Sequence, residues 1–207
     1  MKFEYPAGAT PIDPDDAAGL IPAHITLQRE LNEFEESNIL EATQWVFTRR
    51  RGDPLEDAFV YGVHKRMFDQ TWKWAGKPRR SEKNIGVLWT EIPARLRQML
   101  GDVRAQIEHR SYSPAEIAAR YHHRLVAIHI FPNGNGRHAR LMADLLLTDL
   151  VGKGFEWGRG LLVAVGDVRA RYIAALRAAR ATRLRNRCAP VRSEHAISCR
   201  GIAKSKI

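Results

Sequence analysis

With 207 residues, of which 44% are hydrophobic and 27% charged, the chain has the composition of an ordinary soluble globular protein with one core. Its longest apolar stretches are far too short to cross a bilayer, and its polar, proline-rich beginning lacks the pattern of a secretion signal. We therefore expect a cytoplasmic protein with no membrane partner.

The first 52 residues predict an extension that ends in a helix. Prolines and glycines dominate the first twenty or so residues, which predicts a loop. From position 26, apolar residues recur at helical spacing, which predicts one or two helices ending near the basic run 49–51. These residues are Leu27, Leu31, Phe34, Ile39, Leu40, Trp45 and Val46.

Several helices are predicted to follow. Asp53 and Pro54 have the pattern of a helix cap and first turn. Residues 74–90 contain two glycines and a proline, which favours a loop or a small hairpin. The next helix is expected over Ile92–Glu108, and Ser113 and Glu116 form a capping box that opens another.

The last predicted helices lead into a basic tail. One begins at the glycine turn 134–136 and ends at Gly152, and a final one covers 167–182. Residues 183–207 carry seven basic residues against one acid, so we expect a mobile tail or, alternatively, a nonspecific phosphate-binding arm. The two cysteines, both in this tail, have no metal-binding spacing. The elements together predict an all-α domain with one short hairpin.

The segment 129–140, HIFPNGNGRHAR, combines groups that can bind and transfer a phosphate. The Gly-Asn-Gly turn precedes a predicted helix, where glycines let successive N–H groups point at one anion. Arg137 and Arg140 follow on one helix face and can clamp a polyphosphate. His129, just before the turn, is placed to act as a general base on a hydroxyl.

The structural alternative is a helix junction with a capping histidine and solvated arginines. A histidine or a glycine turn alone would favour that alternative. The combination of a base, an anion turn and two arginines within one short segment favours a functional site. His122, His123 and His138 lack metal-motif spacing, so we expect them at the surface.

The same segment resembles the Fic motif, HxFx(D/E)GNGRxxR, at every fixed position except one. WAGKPR at 74–79, followed by Asn84, Ile85 and Gly86, resembles the hairpin flap with which this family pins a target peptide. The similarity covers 53–182 and implies a Fic-type helical bundle with a short β-hairpin flap. The whole chain also resembles the Fic proteins of mobile elements called mobile mystery protein B, which implies a toxin-like protein.

The resemblance implies a protein adenylyltransferase that uses ATP and Mg²⁺. His129 would take the proton from a Tyr, Ser or Thr hydroxyl of a target protein, and Phe131 would be a core anchor. Arg137 would stabilise the diphosphate leaving group and Arg140 would hold the γ-phosphate. The α- and β-phosphates would be cradled by Gly134, Asn135 and Gly136.

The departure from the motif is Asn133, where the family has an acid that binds Mg²⁺. An amide oxygen can ligate a hard cation, but without the charge of a carboxylate. Asn133 therefore leaves a Doc-type phosphotransferase as an alternative, although the intact Gly136 favours nucleotidyl transfer. A noncatalytic module that binds nucleotides or nucleic acid is a further alternative, prompted by the basic tail; we do not expect a nucleic-acid partner.

Many Fic enzymes are inhibited by a helix with the pattern (S/T)xxxE(G/N). Two stretches match it in part, 26–30 and 37–41, and neither has Gly or Asn after the glutamate. If inhibition is intrinsic, the resemblance implies that Glu30 pairs with Arg140; Glu41 is the second candidate. An antitoxin-like or dimer partner is the other possible source of inhibition.

Overall fold

In the computed structural model of the chain, residues 14–25, 27–49, 52–155 and Ala174 are described. The chain divides into two compact units, Met1–Leu162 and Val163–Ile207. The helices α1 to α6 below belong to the first unit. The predicted last helix, apart from Ala174, the basic tail and both cysteines lie outside the described residues.

Among the described residues, five long helices follow a one-turn helix α1 at Pro14–Ala17. They are α2 (Gln28–Thr48), α3 (Asp57–Phe68), α4 (Ile92–Glu108), α5 (Pro114–Ile128) and α6 (Asn135–Val151). A single 3₁₀ turn, Trp89–Glu91, leads into α4. No strand occurs among the described residues, so the all-α prediction is confirmed.

Most helix ends follow the local signals in the sequence. Helix α4 has the predicted bounds, and α5 begins where the Ser113 hydroxyl accepts a hydrogen bond from the Glu116 N–H at 3.3 Å. Helix α3 begins later than predicted, because the Asp53 carboxylate accepts from the Leu55 N–H at 2.7 Å and forms a separate turn. The predicted N-cap at Asp53 is therefore wrong.

The core lies between the apolar faces of these helices. Helix α5 packs along α6, α2 packs along α3, and α4 packs along α5. The most deeply buried side chains come from α3, α4, α5 and α6 and give one continuous cluster. Its members include Val60, Val63, Met67, Leu96, Met99, Val103, Tyr121, Leu125, Met142 and Leu145.

The N-terminal segment differs from the predicted loop. It contains α1, and Leu20 then forms an antiparallel bridge with Trp72. Two main-chain hydrogen bonds flank that bridge, from Ile21 to the Thr71 carbonyl and from Lys73 to the Gly19 carbonyl, each 2.9 Å. Residues before α2 are thus joined to the chain that leaves α3.

Residues 74–90, the predicted hairpin flap, form a loop without paired strands. The loop meets the end of α5 through two main-chain hydrogen bonds, from Arg79 to Ile130 at 2.9 Å and from Val87 to Ile128 at 3.3 Å. The two arms of the loop, which contain Arg79 and Val87, therefore both lie against the chain that carries His129. Among the described residues, no helix is long and apolar enough to cross a membrane.

Candidate active site

His129 ends α5 in a left-handed backbone conformation, with φ 56°. This conformation is uncommon for a residue with a Cβ atom, and it turns the chain out of the helix. The imidazole is 4% exposed. Neither ring nitrogen makes a hydrogen bond to the described part of the chain. His129 is therefore a buried histidine whose ring nitrogens lack a hydrogen bond of good geometry, which is unusual, although the Val126 main chain lies close enough to act on its pKa.

The surroundings of His129 keep its ring neutral. Burial lowers the pKa of His129 to about 4, and the nearby charges of Arg79 and Lys83 act in the same direction. A neutral imidazole has one nitrogen able to accept a proton at physiological pH. The chemical requirement for a general base is met at this position.

Asn135 locks the loop between α5 and α6. Its side-chain oxygen accepts from the Phe131 N–H at 2.9 Å, and its amide nitrogen donates to the Phe131 carbonyl at 2.8 Å. Phe131 itself is fully buried, as a core anchor should be. Because both polar atoms of the Asn135 side chain bond to Phe131, only the backbone N–H of Asn135 can make the predicted phosphate contact in this arrangement.

Gly134 makes the turn that starts α6. Its φ is 76°, and a Cβ atom there would lie 2.5 Å from Cζ of Phe68, so only glycine is accommodated. The N–H groups of the first turn, at Asn135, Gly136 and Arg137, have no acceptor within the helix. They form the positive end of the α6 dipole and suit an anion.

The two motif arginines face different helices. Arg137 donates from Nη1 to the Glu35 carboxylate of α2 at 2.6 Å, and its guanidinium lies 4.9 Å from the ring centre of Phe68. Arg140 is close enough to His122 on α5 for its charge to lower the pKa of that histidine, after the larger effect of burial. Both arginines are part-exposed and remain near the start of α6.

Arg79 fastens the flap loop to His129. Its buried guanidinium donates from Nε to the His129 carbonyl at 2.7 Å, from Nη1 to the Ser81 carbonyl at 2.7 Å, and from Nη2 to the Val87 carbonyl. Gly86 permits this approach, since a Cβ atom there would lie 2.7 Å from Arg79 Nη2 and 2.8 Å from His129 Cβ. One side chain thus holds both arms of the loop beside the candidate base.

His64 supports the other side of the site loop. Its Nδ1 accepts from the Gly76 N–H at 3.0 Å, so its Nε2 carries the proton and donates to the Asn133 carbonyl at 3.1 Å. The ring stacks on Phe131 with 3.5 Å between ring centres. Burial holds the pKa of His64 well below its usual value, which preserves this neutral form.

Two of the predicted flap residues are exposed, and the two candidate inhibitory glutamates have partners near α2. Asn84 and Ile85 of the flap loop are exposed, as target-contacting residues must be. The Glu30 carboxylate accepts from the Leu27 N–H at 3.2 Å at the start of α2, and Glu41 accepts from the Gln70 side chain at 3.1 Å. Glu35, which sequence reasoning missed, is an acid that α2 places on a motif arginine, Arg137.

Two histidines expected at the surface are buried, so that prediction is wrong. His122 is 5% exposed and His138 is 1% exposed. His138 donates from Nε2 to the Val60 carbonyl at 3.0 Å, which ties α6 to α3. Burial lowers the pKa of each to about 4. No cluster of three or more acidic, histidine or cysteine side chains able to hold a metal occurs among the described residues.

Asn133 does not make a protein-held metal site. Its side-chain oxygen accepts from the Gly134 N–H at 2.5 Å, which uses one of the two lone pairs of that neutral oxygen. No acidic side chain stands beside it in a metal-binding group within the described ranges. Mg²⁺ takes six oxygen ligands, so the chain supplies at most a small part of such a set.

The model of the Fic/DOC family matches residues 54–147. The chain is 32% identical over 108 residues to protein adenylyltransferase fic-1 of Caenorhabditis briggsae, an alignment that covers 51% of this chain and 20% of that protein. The chain thus spans about a fifth of the length of this curated relative.

Solved structures of Fic domains share the fold. The N-terminal Fic domain of a cell filamentation protein, a VirB-translocated effector from Bartonella quintana, has a TM-score of 0.59 at 19% identity, covering 75% of this chain and 79% of that chain. BepC of Bartonella tribocorum, solved with bound AMPPNP, has a TM-score of 0.59 at 17% identity, covering 79% and 90%. At these identities the likeness concerns the fold.

Proposed function

We propose, because the model of the Fic/DOC family matches residues 54–147, that this chain is a protein adenylyltransferase. It moves AMP from ATP to a Tyr, Ser or Thr hydroxyl of a target protein. The observation that carries the proposal is His129, a buried neutral base whose ring nitrogens make no hydrogen bond of good geometry, placed just before a helix start suited to phosphate. The matched relative from C. briggsae, a protein adenylyltransferase, supports it.

The chemistry follows from these positions. A ring nitrogen of His129 takes the proton of the target hydroxyl, and the hydroxyl oxygen forms a bond to the α-phosphorus of ATP. The bond from that phosphorus to the oxygen bridging the α- and β-phosphates breaks, and pyrophosphate leaves. The N–H groups of Asn135, Gly136 and Arg137 stabilise the charge on the phosphates. Arg137 stabilises the leaving diphosphate and Arg140 holds the γ-phosphate.

Access to His129 requires movement. Both ring nitrogens are closed to solvent, so a target hydroxyl reaches them only after neighbouring groups move apart. The exposed Asn84 and Ile85, with Gly86, form the loop segment that meets the target backbone. An antitoxin-like or dimer partner that covered this loop would inhibit the enzyme.

Incubation of the protein and its target extract with ATP labelled at the α- or at the γ-phosphate tests the proposal. Protein-bound label from the α position alone is the expected result. Retention of the γ label alone would instead support a Doc-type phosphotransferase, the alternative that Asn133 prompts. Nucleotide binding with no retained label would support a noncatalytic binding module.

The metal requirement gives a separate prediction at Asn133. Because the chain supplies no carboxylate there, the Mg²⁺ concentration that gives half-maximal transfer should be high. Asn133→Asp adds a charged ligand and should lower that concentration about tenfold or more, whereas Asn133→Ala should not lower it. A titration of transfer against Mg²⁺ measures this. Equal midpoints in wild-type and Asp variants would contradict a metal role for this position.

A further inference from the structure

Glu35 is an acid on the buried face of α2. It is 5% exposed and lies between the buried Leu31 and Asn38. Each of its carboxylate oxygens accepts one short hydrogen bond, from Trp72 Nε1 and from Arg137 Nη1, both at 2.6 Å. Bonds to an ionised acceptor of this length are strong. The carboxylate is therefore satisfied only while Arg137 stays beside it.

Arg137 is held in one place by this contact. It is the third residue of α6, so its backbone N–H is one of the groups that face an anion at the helix start. Its side chain lies between Glu35 and the ring face of Phe68, and 34% of that side chain is exposed. A long side chain that would otherwise sample many rotamers is thus fixed next to the anion site.

We infer that Glu35 is a positioning residue that orients Arg137 for the polyphosphate of the nucleotide, so that α2 completes the active site. The inference rests on the proposed function in that the bound anion is a nucleotide. Helix α2 lies outside the matched segment 54–147, so the Fic/DOC domain depends here on a residue from outside that segment.

The burial of Glu35 argues that Arg137 keeps this contact when an anion binds. If the guanidinium left, a buried carboxylate would lose its cationic partner, and breaking such a pair is strongly unfavourable. The guanidinium has five N–H donors, and the bond to Glu35 uses one of them. Arg137 can therefore meet a phosphate and Glu35 together, as an arginine held by a supporting acid.

The opposite reading treats Glu35 as a competitor that occupies Arg137 and blocks the nucleotide. The two interpretations predict opposite changes in nucleotide affinity and in transfer rate when the Glu35 carboxylate is removed. If Glu35 positions Arg137, removing the acid weakens nucleotide binding and slows transfer. If Glu35 competes with phosphate, removing it strengthens binding and speeds transfer.

The experiment compares Glu35→Ala, Glu35→Gln and the wild-type chain, with Glu36→Ala as the matched control because Glu36 is an exposed acid on the same helix. Calorimetry measures ADP affinity, and α-labelled ATP measures transfer. We expect Glu35→Ala to weaken ADP binding about tenfold, the size found when groups that orient a ligating residue are removed. Glu35→Gln, which keeps an accepting oxygen, should lose less, and Glu36→Ala should match the wild type.

A double-mutant cycle separates positioning from a general loss of structure. In an Arg137→Ala background, Glu35→Gln should cause no further loss of ADP affinity, since its effect passes through Arg137. Additive losses, unchanged affinity in Glu35→Ala and Glu35→Gln, or tighter ADP binding would each overturn the inference. Thermal melts identify an unfolded Glu35→Ala, in which case Glu35→Gln and the cycle decide.

The measurements distinguish a failure of the adenylyltransferase proposal from a failure of the positioning role of Glu35. A wild-type chain that binds ADP but retains no α label, with ADP affinity still lowered in Glu35→Gln, contradicts the adenylyltransferase proposal and supports the positioning role. A wild-type chain that does not bind ADP contradicts both. Transfer that persists with unchanged ADP affinity in both Glu35 variants contradicts the positioning role alone.

Discussion

His129 and the groups around it decide what the site can do at the level of single residues. Its left-handed backbone, its buried ring and the neighbouring Arg79 are features of one arrangement, because Arg79 donates to the His129 carbonyl while its charge opposes protonation of the ring. The same side chain fixes the backbone of the base and adds to the larger effect of burial, which keeps the base neutral.

Replacing Arg79 should therefore change the pH profile of transfer. The pKa of His129 is lowered to about 4, so the wild-type rate should not fall through His129 protonation until the pH is near that value. Arg79→Gln removes a positive charge, which raises the pKa of His129 and moves the acidic limb of the profile to higher pH, by about one unit.

Arg79→Lys is the control for this experiment. It keeps the charge, and so the acidic limb should stay in place, but its single nitrogen does not span the three carbonyls that Nε, Nη1 and Nη2 of Arg79 meet, and the rate should fall. Initial rates from about pH 3 to about pH 8 measure both effects, since this range includes the lowered pKa of His129, about 4, as well as the ordinary pKa of histidine. An acidic limb that stays in place in Arg79→Gln would show that Arg79 does not control the protonation of His129.

The sequence predicted the motif residues and their order, because a motif is a local pattern. It did not predict Glu35, Arg79 or His64 as parts of the site. Glu35 and Arg137 are 102 positions apart, and Arg79 and His129 are 50 apart, so only the folded chain shows that they meet. An acid at a buried position of the α2 pattern, between Leu31 and Asn38, is the one local signal that pointed to Glu35.

Among the helices and loops, the start of α6 is the central feature. Gly134 has φ 76° and lies against Phe68, and the turn it makes starts the helix whose first N–H groups have no acceptor within the helix. Helix bounds were predictable where caps are local, as at Ser113. The flap was predicted as a hairpin, yet its two arms are joined through the Arg79 side chain. A pattern of alternating apolar and polar residues predicts paired strands, but it does not predict a loop held by one side chain.

Gly134→Ala should damage both folding and function. A left-handed alanine costs about 1–2 kcal/mol, and its Cβ must displace the Phe68 ring, so we expect the free energy of unfolding to fall by about 2–4 kcal/mol. Nucleotide binding should weaken with it, because the N–H groups move. Urea denaturation and ADP calorimetry measure the two changes.

Gly101→Ala is the matched control, since Gly101 is inside α4 and a Cβ atom there meets nothing within 4 Å. This change should raise the free energy of unfolding by about 0.5–1 kcal/mol and leave ADP affinity unchanged. Equal effects of the two substitutions would contradict the role given to the turn at Gly134.

Across the molecule as a whole, buried neutral histidines occur on α3, α5 and α6 and at the end of α5. Burial lowers the pKa of His64, His122, His129 and His138 below the usual 6.5 of histidine. The unfolded chain therefore binds more protons than the folded one between about pH 4 and about pH 6.5. The free energy of unfolding must fall as the pH is lowered through this range.

Urea denaturation at about pH 7.5 and about pH 5.5 tests this consequence. His122, His129 and His138, each with a pKa of about 4, should each remove about 1 kcal/mol at the lower pH, since one unit of pH below the unfolded pKa corresponds to about 1.4 kcal/mol, and His64 should act in the same direction. His138→Gln, which can still donate to the Val60 carbonyl, should show a smaller loss. Unfolding midpoints that do not change with pH would contradict the neutral state of these histidines.

Residues 129–140 are proposed as a nucleotidyl-transfer site with His129 as its base, and the decisive variant is His129→Ala. The measurement is transfer of α label to a target protein, made together with ADP affinity on the same preparation. We expect transfer to fall by at least about a hundredfold while ADP affinity stays within about threefold, because the ring removes a proton and does not hold the phosphates. Transfer that survives in His129→Ala at the wild-type rate would refute the assignment of the base.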